Sequence, residues 1–295
     1  MAASGAIFDP LHGLLQPERR VAVIDIGANP HDGGTPIYEP LMKLGLCTVV
    51  GFEPHPEAFA ALQHKKGPLE TYLPLALGDG KEHTLYICRA GGMTSLLRPD
   101  QRMLSQFPTF EEWGQIVGQI KVKTKPLDEV GEIKDCDFLK LDIQGGELLV
   151  LQNARRRLAA AVALHLEVSF VTLYEKQPTF ADIDQFLREQ GFLPHMFANI
   201  DRRMILPMFI PNNPHAGLNQ LLQADVVYVK DFTRMESMSD EQVKQMALVA
   251  HHCYKSYDLT YRCIFELGRR KILGERDNEN YLRMVGSLTE SGLRQ

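Results

Sequence analysis

The chain has 295 residues, a formal net charge of −5, 44% hydrophobic residues and 23% charged residues, which argues for an ordinary globular protein and against a disordered or fibrous one. The acidic excess leaves no domain-wide basic surface for polyphosphate, so the composition argues against a dedicated nucleic-acid binder. The longest strongly apolar run, residues 158–164, is far shorter than the roughly 20 residues that span a bilayer, and we expect no membrane span.

The five cysteines stand far apart and form neither a CxxC pair nor a His/Cys spacing typical of a metal site. We interpret them as buried, reduced thiols, as in a reducing cytosol. The first residues of the sequence lack the basic start and the apolar core of a signal peptide. Together these features predict a cytoplasmic protein.

After a short lead-in, strand and helix patterns alternate. The segment VAVIDI at residues 21–26 is short and β-branched, which predicts a buried strand. Further strands are predicted at residues 48–52, 70–77, 85–88, 119–125, 137–141, 159–168, 195–200, 204–209 and 224–230. Helices are predicted at residues 35–46, from Pro56 onward, at residues 145–153 and at residues 180–190. This alternation indicates a doubly wound, mostly parallel α/β sheet.

Residues 90–118 interrupt the alternation and contain glycines, prolines and Trp113, the only tryptophan. Their length and composition are typical of a functional loop or lid.

The pattern changes again after Asp231, because apolar residues recur with helical spacing from residue 240 to residue 271. Acidic and basic side chains balance there, which fits a packed helical extension or an oligomer contact better than a nucleic-acid arm. The extension is therefore a candidate surface for a homodimer. The predicted organisation is a lead-in at residues 1–20, an α/β domain at residues 21–230 and a helical extension at residues 231–295.

Doubly wound sheets bind ligands beyond the carboxyl ends of their strands, and the first predicted strand leads into a glycine loop there. The loop begins with Gly27, which permits a sharp turn and a close approach to a ligand. Its spacing is not GxGxxG, and Asn29 and Pro30 occupy the place where a pyrophosphate needs bare amides. A ligand with adenosine but no pyrophosphate fits better. Asp25 would attract an ammonium or sulfonium cation, with capping of the loop amides as the alternative.

Acids also follow the next two predicted strands. Glu53 is placed to accept both ribose hydroxyls, although an acid before Pro54 is also a common turn residue. Asp79 is a candidate for the adenine amino group, with a plain Asp-Gly turn as the alternative. The predicted cofactor-binding residues are Asp25, Gly27, Ala28, Asn29, Glu53, Pro54, Asp79 and Asp142.

The predicted catalytic residues are Asp142 and Glu167, which follow or end neighbouring strands and are candidates for the base that accepts a hydroxyl proton. A structural ion pair of Asp142 with Lys140, two residues earlier on the same face, is the alternative. His165 is a third candidate base, although a histidine in an apolar strand is more often a satisfied core residue. Glu147 suits a first helical turn. Thr94, Ser95 and Tyr174 are candidates for the acceptor pocket, with hydrogen bonding within the loops as the alternative.

Several segments, in this order, resemble the FkbM-type methyltransferase family over about residues 20–230. They are VIDIGAN, VVGFEPHP, GMTSL, VKTKPLDEV, DFLKLDIQGGELLVLQNA and ALHLEVSFVTLYEKQPTFADIDQFLREQGF. The resemblance implies a class I Rossmann-like fold, S-adenosyl-L-methionine as cofactor and, usually, O-methylation of a hydroxyl on a sugar or polyketide-like acceptor. The chain departs from the family pattern in a longer loop at residues 30–34 and in Gln144, which stands where the family has a glutamate.

Two other functional classes stay open on the residues alone. One is a non-catalytic binding or scaffold protein that keeps the fold, and the other is a dinucleotide-dependent oxidoreductase. No tyrosine has a lysine four residues later, as short-chain dehydrogenases require. Neither the acids around Cys136 nor the pair His251 and His252 forms a convergent ligand set, so we expect catalysis without a metal. The expected partner is a small-molecule or glycan acceptor.

Overall fold

The computed structural model describes residues 9–28, 35–213 and 216–289. The strands are β1 (Val21–Ile26), β2 (Cys47–Phe52), β3 (Glu70–Leu73), β4 (Ala76–Leu77), β5 (Glu82–Cys88), β6 (Ile116–Lys125), β7 (Phe138–Leu141), β8 (Ala163–Ser169), β9 (Phe192–Arg203) and β10 (Gln220–Lys230). The helices are α1 (Pro10–Leu15), α2 (Glu39–Lys43), α3 (Pro56–Lys65), α4 (Gln101–Leu104), α5 (Phe110–Trp113), α6 (Glu147–Gln152), α7 (Arg155–Ala160), α8 (Phe180–Glu189), α9 (Asp240–Tyr254), α10 (Tyr257–Arg269) and α11 (Glu275–Thr289).

Seven strands form the main sheet in the order β3-β2-β1-β7-β8-β10-β9. The first five of these pair in parallel, and β10 runs antiparallel to both β8 and β9. The predicted doubly wound, mostly parallel sheet is therefore confirmed. The chain moves outward from β1 through β2 to β3 and then returns to β7 on the other side of β1. The crevice for a ligand in such a sheet lies at this reversal, beyond the carboxyl ends of β1 and β7.

Helices cover both faces of the main sheet because alternate residues of each strand point to opposite sides. Val21 and Val23 of β1 pack in one buried cluster with α1, α2, α9 and α10. Ile24 and Ile26 pack in a second cluster with α6, α7 and α8. The helices after Asp231 thus supply part of the core of the α/β sheet. Over the described ranges, each helix is too short or too polar to cross a membrane.

The predicted strand at residues 70–77 is divided between two sheets. Its first part is β3 of the main sheet, and its last part is β4 of a smaller sheet with the order β4-β6-β5. Pro74 lies between the two parts. Because proline has no backbone N–H to donate, it interrupts strand pairing at that point.

Three other predicted elements are wrong in their bounds or type. The predicted strand at residues 159–168 begins only at Ala163, because the first part of this apolar run ends helix α7. Residues 204–209 belong to the connection between β9 and β10 and expose Met208 and Phe209. The predicted helix at residues 35–46 is reduced to α2, which has Pro40 in its first turn.

The five cysteines are buried and unpaired, as predicted. Burial raises the pKa of the Cys47 thiol to about 12, so this group stays protonated at neutral pH. Cys253 and Cys263 pack among the apolar residues between the sheet and its helices.

Candidate active site

Gly27 lies where the chain leaves β1 beside the end of β7. Its φ of +81° belongs to a region that glycine adopts without strain. The backbone N–H groups of Gly27 and Ala28 both donate to the carbonyl oxygen of Phe52 at 3.1 Å, which holds the turn against β2. A Cβ atom on Gly27 would stand 1.9 Å from the carbonyl oxygen of Asp142, so only glycine allows this close approach. Asn29 lies outside the described residues, as does the rest of the loop to residue 34.

Asp25 is buried below this turn and has partners inside the protein. Its Oδ2 accepts a hydrogen bond of 2.5 Å from the Tyr38 hydroxyl. Lys140 Nζ lies 3.3 Å from its Oδ1 and donates to the carbonyl oxygen of Gly27 at 3.2 Å. Burial and the nearby Asp25 carboxylate raise the pKa of Tyr38 far above its usual range. Asp25 thus anchors the loop through a side-chain network, and its predicted contact with a cationic ligand stays a prediction.

Glu53 is fixed at the end of β2, one strand away from Gly27. Its backbone N–H donates to the carbonyl oxygen of Leu73 at 3.1 Å. Its Oε1 accepts the backbone N–H of His55 at 2.7 Å, and the residue is only 6% exposed. Pro54 follows on the surface. Glu53 therefore makes the turn contact that the sequence allowed, and its carboxylate stands at the edge where a ribose is expected.

Asp79 is placed differently, in the turn between β4 and β5 of the smaller sheet. Its carboxylate contacts His83 Nε2 at 2.7 Å and accepts the backbone N–H of Lys81 at 3.1 Å. The hydrogen bond with His83 holds the pKa of Asp79 well below its usual range. These contacts account for Asp79 as a turn residue, and its contact with adenine stays a prediction.

Asp142 and Glu167 are brought together by two amide side chains. Gln144 Nε2 donates to Asp142 Oδ1 at 3.0 Å and lies 3.5 Å from Glu167 Oε1. Gln223 of β10 donates from its Nε2 to the other oxygen of Glu167 at 2.5 Å. Gln144 reaches both carboxylates from a backbone with a φ of +57°. We call Asp142, Gln144, Glu167 and Gln223 the carboxylate–amide cluster.

The pKa of Glu167 in this cluster is strongly perturbed. Burial raises the pKa of Glu167 well above its ordinary value, and the charges of Asp142, Glu147 and Asp225 raise it further. A carboxyl group whose pKa is raised toward neutrality is suited to accept a proton in catalysis. The cluster therefore has the chemistry of a general base.

Glu147 supports the cluster from below, and Lys140 pairs with Asp25. Glu147 Oε1 accepts the backbone N–H groups of Ile143 at 2.9 Å and Gly145 at 3.2 Å, which fixes the turn that carries Gln144. Burial raises the pKa of Glu147 to about 7. Lys140, which the sequence placed with Asp142, instead forms the described ion pair with Asp25 in the neighbouring strand.

His165 has the contacts of a core residue. Its Nδ1 lies 3.2 Å from the hydroxyl oxygen of Tyr254, and the two rings are nearly parallel. Burial, with a contribution from the charge of Lys140, lowers the pKa of His165 to about 4, so the ring is neutral at physiological pH. These contacts agree with the core interpretation and disfavour His165 as the base.

Residues 90–118 cover the cluster from one side and contain the short helices α4 and α5. The Ser95 hydroxyl donates to the backbone oxygen of Gln144 at 2.6 Å. The Tyr174 hydroxyl donates to Gln144 Oε1 at 3.4 Å, whereas Thr94 Oγ1 accepts the backbone N–H of Cys88. Ser95 and Tyr174 thus contact Gln144 of the cluster, Thr94 is bound to the backbone of β5, and the predicted role of all three in the acceptor pocket stays a prediction.

Sequence reasoning missed the part of the site that comes from β9 and β10. Gln223 contacts Glu167, and Asp201 and Arg203 stand nearby at the end of β9. No motif marks these residues. The only signal for them was that three late strands were predicted to complete the sheet. The antiparallel pairing of β10 with β8 brings Gln223 to Glu167.

The comparisons with known proteins point in one direction. Residues 25–194 match the family model described as the methyltransferase FkbM domain. The chain is 25% identical over 189 residues to a protein named 2-O-methyltransferase NoeI from Sinorhizobium fredii (strain NBRC 101917 / NGR234), covering 56% of this chain and 74% of that protein.

Two similar solved structures are also methyltransferases by name. Magnesium protoporphyrin IX methyltransferase (ChlM) from Synechocystis PCC 6803 has a TM-score of 0.38 at 12% identity, covering 74% of this chain and 72% of that chain. Precorrin-6y C5,15-methyltransferase from Geobacter metallireducens GS-15 has a TM-score of 0.35 at 12% identity, covering 78% of this chain and 92% of that chain.

Proposed function

The chain belongs to the FkbM methyltransferase family, and from this premise we propose that it methylates a hydroxyl group on a sugar, glycan or polyketide-like acceptor. It is an S-adenosylmethionine-dependent methyltransferase, and the family assignment favours methyl transfer over both the scaffold and the oxidoreductase alternatives. The observation that carries the acceptor chemistry is the carboxylate–amide cluster at the carboxyl ends of β7 and β8. The name of the relative, a 2-O-methyltransferase, supports oxygen as the methylated atom.

The residues at this edge fit S-adenosylmethionine. The cofactor has a sulfonium and an ammonium cation, and its ribose hydroxyls are hydrogen-bond donors. The edge offers the carboxylates of Glu53 and Asp142, which attract cations and accept hydrogen bonds. We infer that the residues that hold the cofactor are Gly27, Ala28, Asn29, Glu53, Pro54 and Asp142. When bound, the cofactor supplies an electrophilic methyl group with a good leaving group.

The chain itself has to align the acceptor hydroxyl and remove its proton. The bound cofactor would supply the methyl group, and the proton of the acceptor hydroxyl would pass to the Asp142–Glu167 pair. Glu167 is the better acceptor because its pKa is raised, and Asp142 orients the hydroxyl from the end of β7. Correct alignment of the reactants lowers the activation free energy by about 7–11 kcal/mol in favourable cases. A general base raises the rate by a further factor of roughly a hundred to ten thousand.

We expect the substitution Glu53→Ala to weaken binding of S-adenosylhomocysteine by roughly ten- to a hundredfold, because a hydrogen bond to a charged group contributes about 1.5–3 kcal/mol. Isothermal titration calorimetry measures this affinity directly. The matched control is Glu57→Ala, which removes an exposed carboxylate from the first turn of α3. Equal affinities for Glu53→Ala and the control would remove Glu53 from the cofactor site.

We expect turnover to rise with pH through a range above that of an ordinary glutamate. Glu167 accepts a proton only when it is ionised, and its raised pKa keeps it protonated to a higher pH. Turnover at acidic pH should therefore be low and should increase as Glu167 loses its proton. The measurement is kcat against pH, for the native chain and for Glu167→Gln. An acidic limb that persists unchanged in Glu167→Gln would assign the titration to another group.

A further inference from the structure

A cavity of about 240 Å³ opens between residues 90–113 and the antiparallel pair β9–β10. We infer that this cavity is the acceptor pocket and that it binds an electrically neutral ring bearing hydroxyl groups. The inference rests on the proposed methylation of a hydroxyl. The side chains on which it depends are those of Phe110, Trp113, Tyr174, Asp201, Arg203 and Gln223.

The inner end of the acceptor pocket is part of the carboxylate–amide cluster. Gln144 and Gln223 both line the cavity, and both of their amide groups lie within hydrogen-bonding distance of Glu167. A molecule in the cavity therefore lies next to the two amides that hold the candidate base. A hydroxyl at this end is separated from the Glu167 carboxylate by one hydrogen-bonded side chain.

Aromatic side chains form one wall of the acceptor pocket. The rings of Phe110 and Trp113 lie 5.2 Å apart between their centroids, and Tyr174 also lines the cavity. An aromatic wall offers an apolar face for the C–H groups of a ring, while polar groups opposite fix its orientation. The cavity is smaller than the roughly 300–1,000 Å³ of pockets for drug-sized ligands, so it suits a single ring.

Beside these rings the cavity carries a compensated ion pair and a buried donor. The Arg203 guanidinium pairs with the Asp201 carboxylate and stands 5.7 Å from the centroid of Phe110. Arg203 Nε is buried and has no hydrogen-bond partner among the described residues. Arg203 also lines the cavity, so an oxygen atom of a bound molecule on this wall can accept a hydrogen bond from the guanidinium.

The charges around the cavity select against ionised acceptors. The Asp201–Arg203 pair carries no net charge, so it offers an ionised acceptor no opposite charge to offset the hydration that the acceptor loses in the cavity. A phosphate or carboxylate group would also be repelled by Glu167 when that carboxyl group is ionised, and an ammonium group cannot accept a hydrogen bond from Arg203. A hydroxyl or ether oxygen avoids these penalties and can accept a hydrogen bond from Arg203. This is why the occupant is neutral and rich in hydroxyl groups.

The acceptor pocket can be tested without an activity assay because Trp113 is the only tryptophan of the chain. The full-length protein is first saturated with S-adenosylhomocysteine, with binding confirmed by calorimetry. Its tryptophan fluorescence is then titrated with myo-inositol and the methyl pyranosides of glucose, mannose and fucose, and separately with glucuronate and glucose 6-phosphate. We expect at least one neutral compound to change the fluorescence saturably and the two anions to bind at least about tenfold more weakly.

Two variants make the test specific. Arg203→Met removes the buried donor and should raise the Kd of the neutral compound about tenfold or more, while the affinity for S-adenosylhomocysteine is unchanged. Arg102→Met, an exposed arginine of α4, is the control and should leave both affinities unaltered. A response to none of the neutral compounds, tighter binding of the anions, or an unchanged Kd in Arg203→Met would overturn the inference. Failure to bind S-adenosylhomocysteine would instead overturn the proposed function.

Discussion

Asp142→Asn is expected to lower kcat at least about a hundredfold while leaving S-adenosylhomocysteine bound, because it removes a charge from the carboxylate–amide cluster without changing the shape of the side chain. The asparagine keeps an oxygen that accepts from Gln144 Nε2, a contact of 3.0 Å in the native chain. The turn after β7 should therefore stay in place. What is lost is the negative charge that orients the acceptor hydroxyl and shares its proton with Glu167.

The control for this variant is Asp135→Asn, which makes the same chemical change just before the opposite end of β7. Asp135 is exposed and lies 3.5 Å from Arg19. We expect turnover within about twofold of native for this control, since surface ion pairs contribute little. Calorimetry gives the cofactor affinity, and mass spectrometry of the methylated product gives the rate on a confirmed acceptor. Native turnover in Asp142→Asn would make Asp142 a structural residue only.

Gly27→Ala is expected to weaken binding of S-adenosylhomocysteine by roughly ten- to a hundredfold, since displacing the loop removes one or two hydrogen bonds worth about 1–1.5 kcal/mol each. The new Cβ would lie 1.9 Å from the carbonyl oxygen of Asp142, so either the β1 turn or the end of β7 must move. The positive φ of +81° adds a strain of about 1–2 kcal/mol for any other residue. The added Cβ atom therefore displaces both parts of the site, the cofactor loop and Asp142.

Gly45→Ala separates the effect of the steric clash from the effect of the backbone strain. Gly45 also has a positive φ, of +68°, but a Cβ built on it meets nothing within 4 Å. This variant should lose stability through backbone strain alone and should bind the cofactor product as the native chain does. Thermal unfolding and calorimetry on both variants give the comparison. Equal affinities for Gly27→Ala and Gly45→Ala would show that close packing of the β1 turn against β7 is not needed for binding.

The elements with a local signal were predicted well. The strand VAVIDI has its predicted bounds, because a short β-branched run ends there at Gly27. Helix α3 begins at Pro56, and α8 ends near Gly191, which has the positive φ typical of a helix stop. In each case a residue with restricted or unusual backbone preferences marks the boundary.

Apolar runs without such a marker were predicted poorly. The run at residues 159–168 is apolar throughout, so its periodicity does not distinguish the end of α7 from the start of β8. Residues 204–209 are also apolar, yet they are exposed in the connection between β9 and β10. Whether each run is buried in a strand or lies outside the sheet depends on packing in the folded protein, which the apolar pattern alone does not show.

Asp142 and Glu167 were predicted from the ends of parallel strands, whose carboxyl ends meet at one edge, and the structure brings these two residues together. Asp79 was predicted in the same way but lies in the smaller sheet. The contact of Asp25 with Lys140 could not be predicted, because the pairing of β1 with β7 is not visible in the sequence. Gln223 and Arg203 were missed because antiparallel strands from a later part of the chain bring them in.

The most direct test is a crystal structure of the full chain with S-adenosylhomocysteine. We predict that the compound lies in the crevice beyond β1 and β2, with its ribose hydroxyls on the Glu53 carboxylate, its backbone contacts at Gly27 and its sulfur facing Asp142. The compound bound outside this crevice, or with its ribose away from Glu53, would contradict the assignment of the strand ends as the cofactor site.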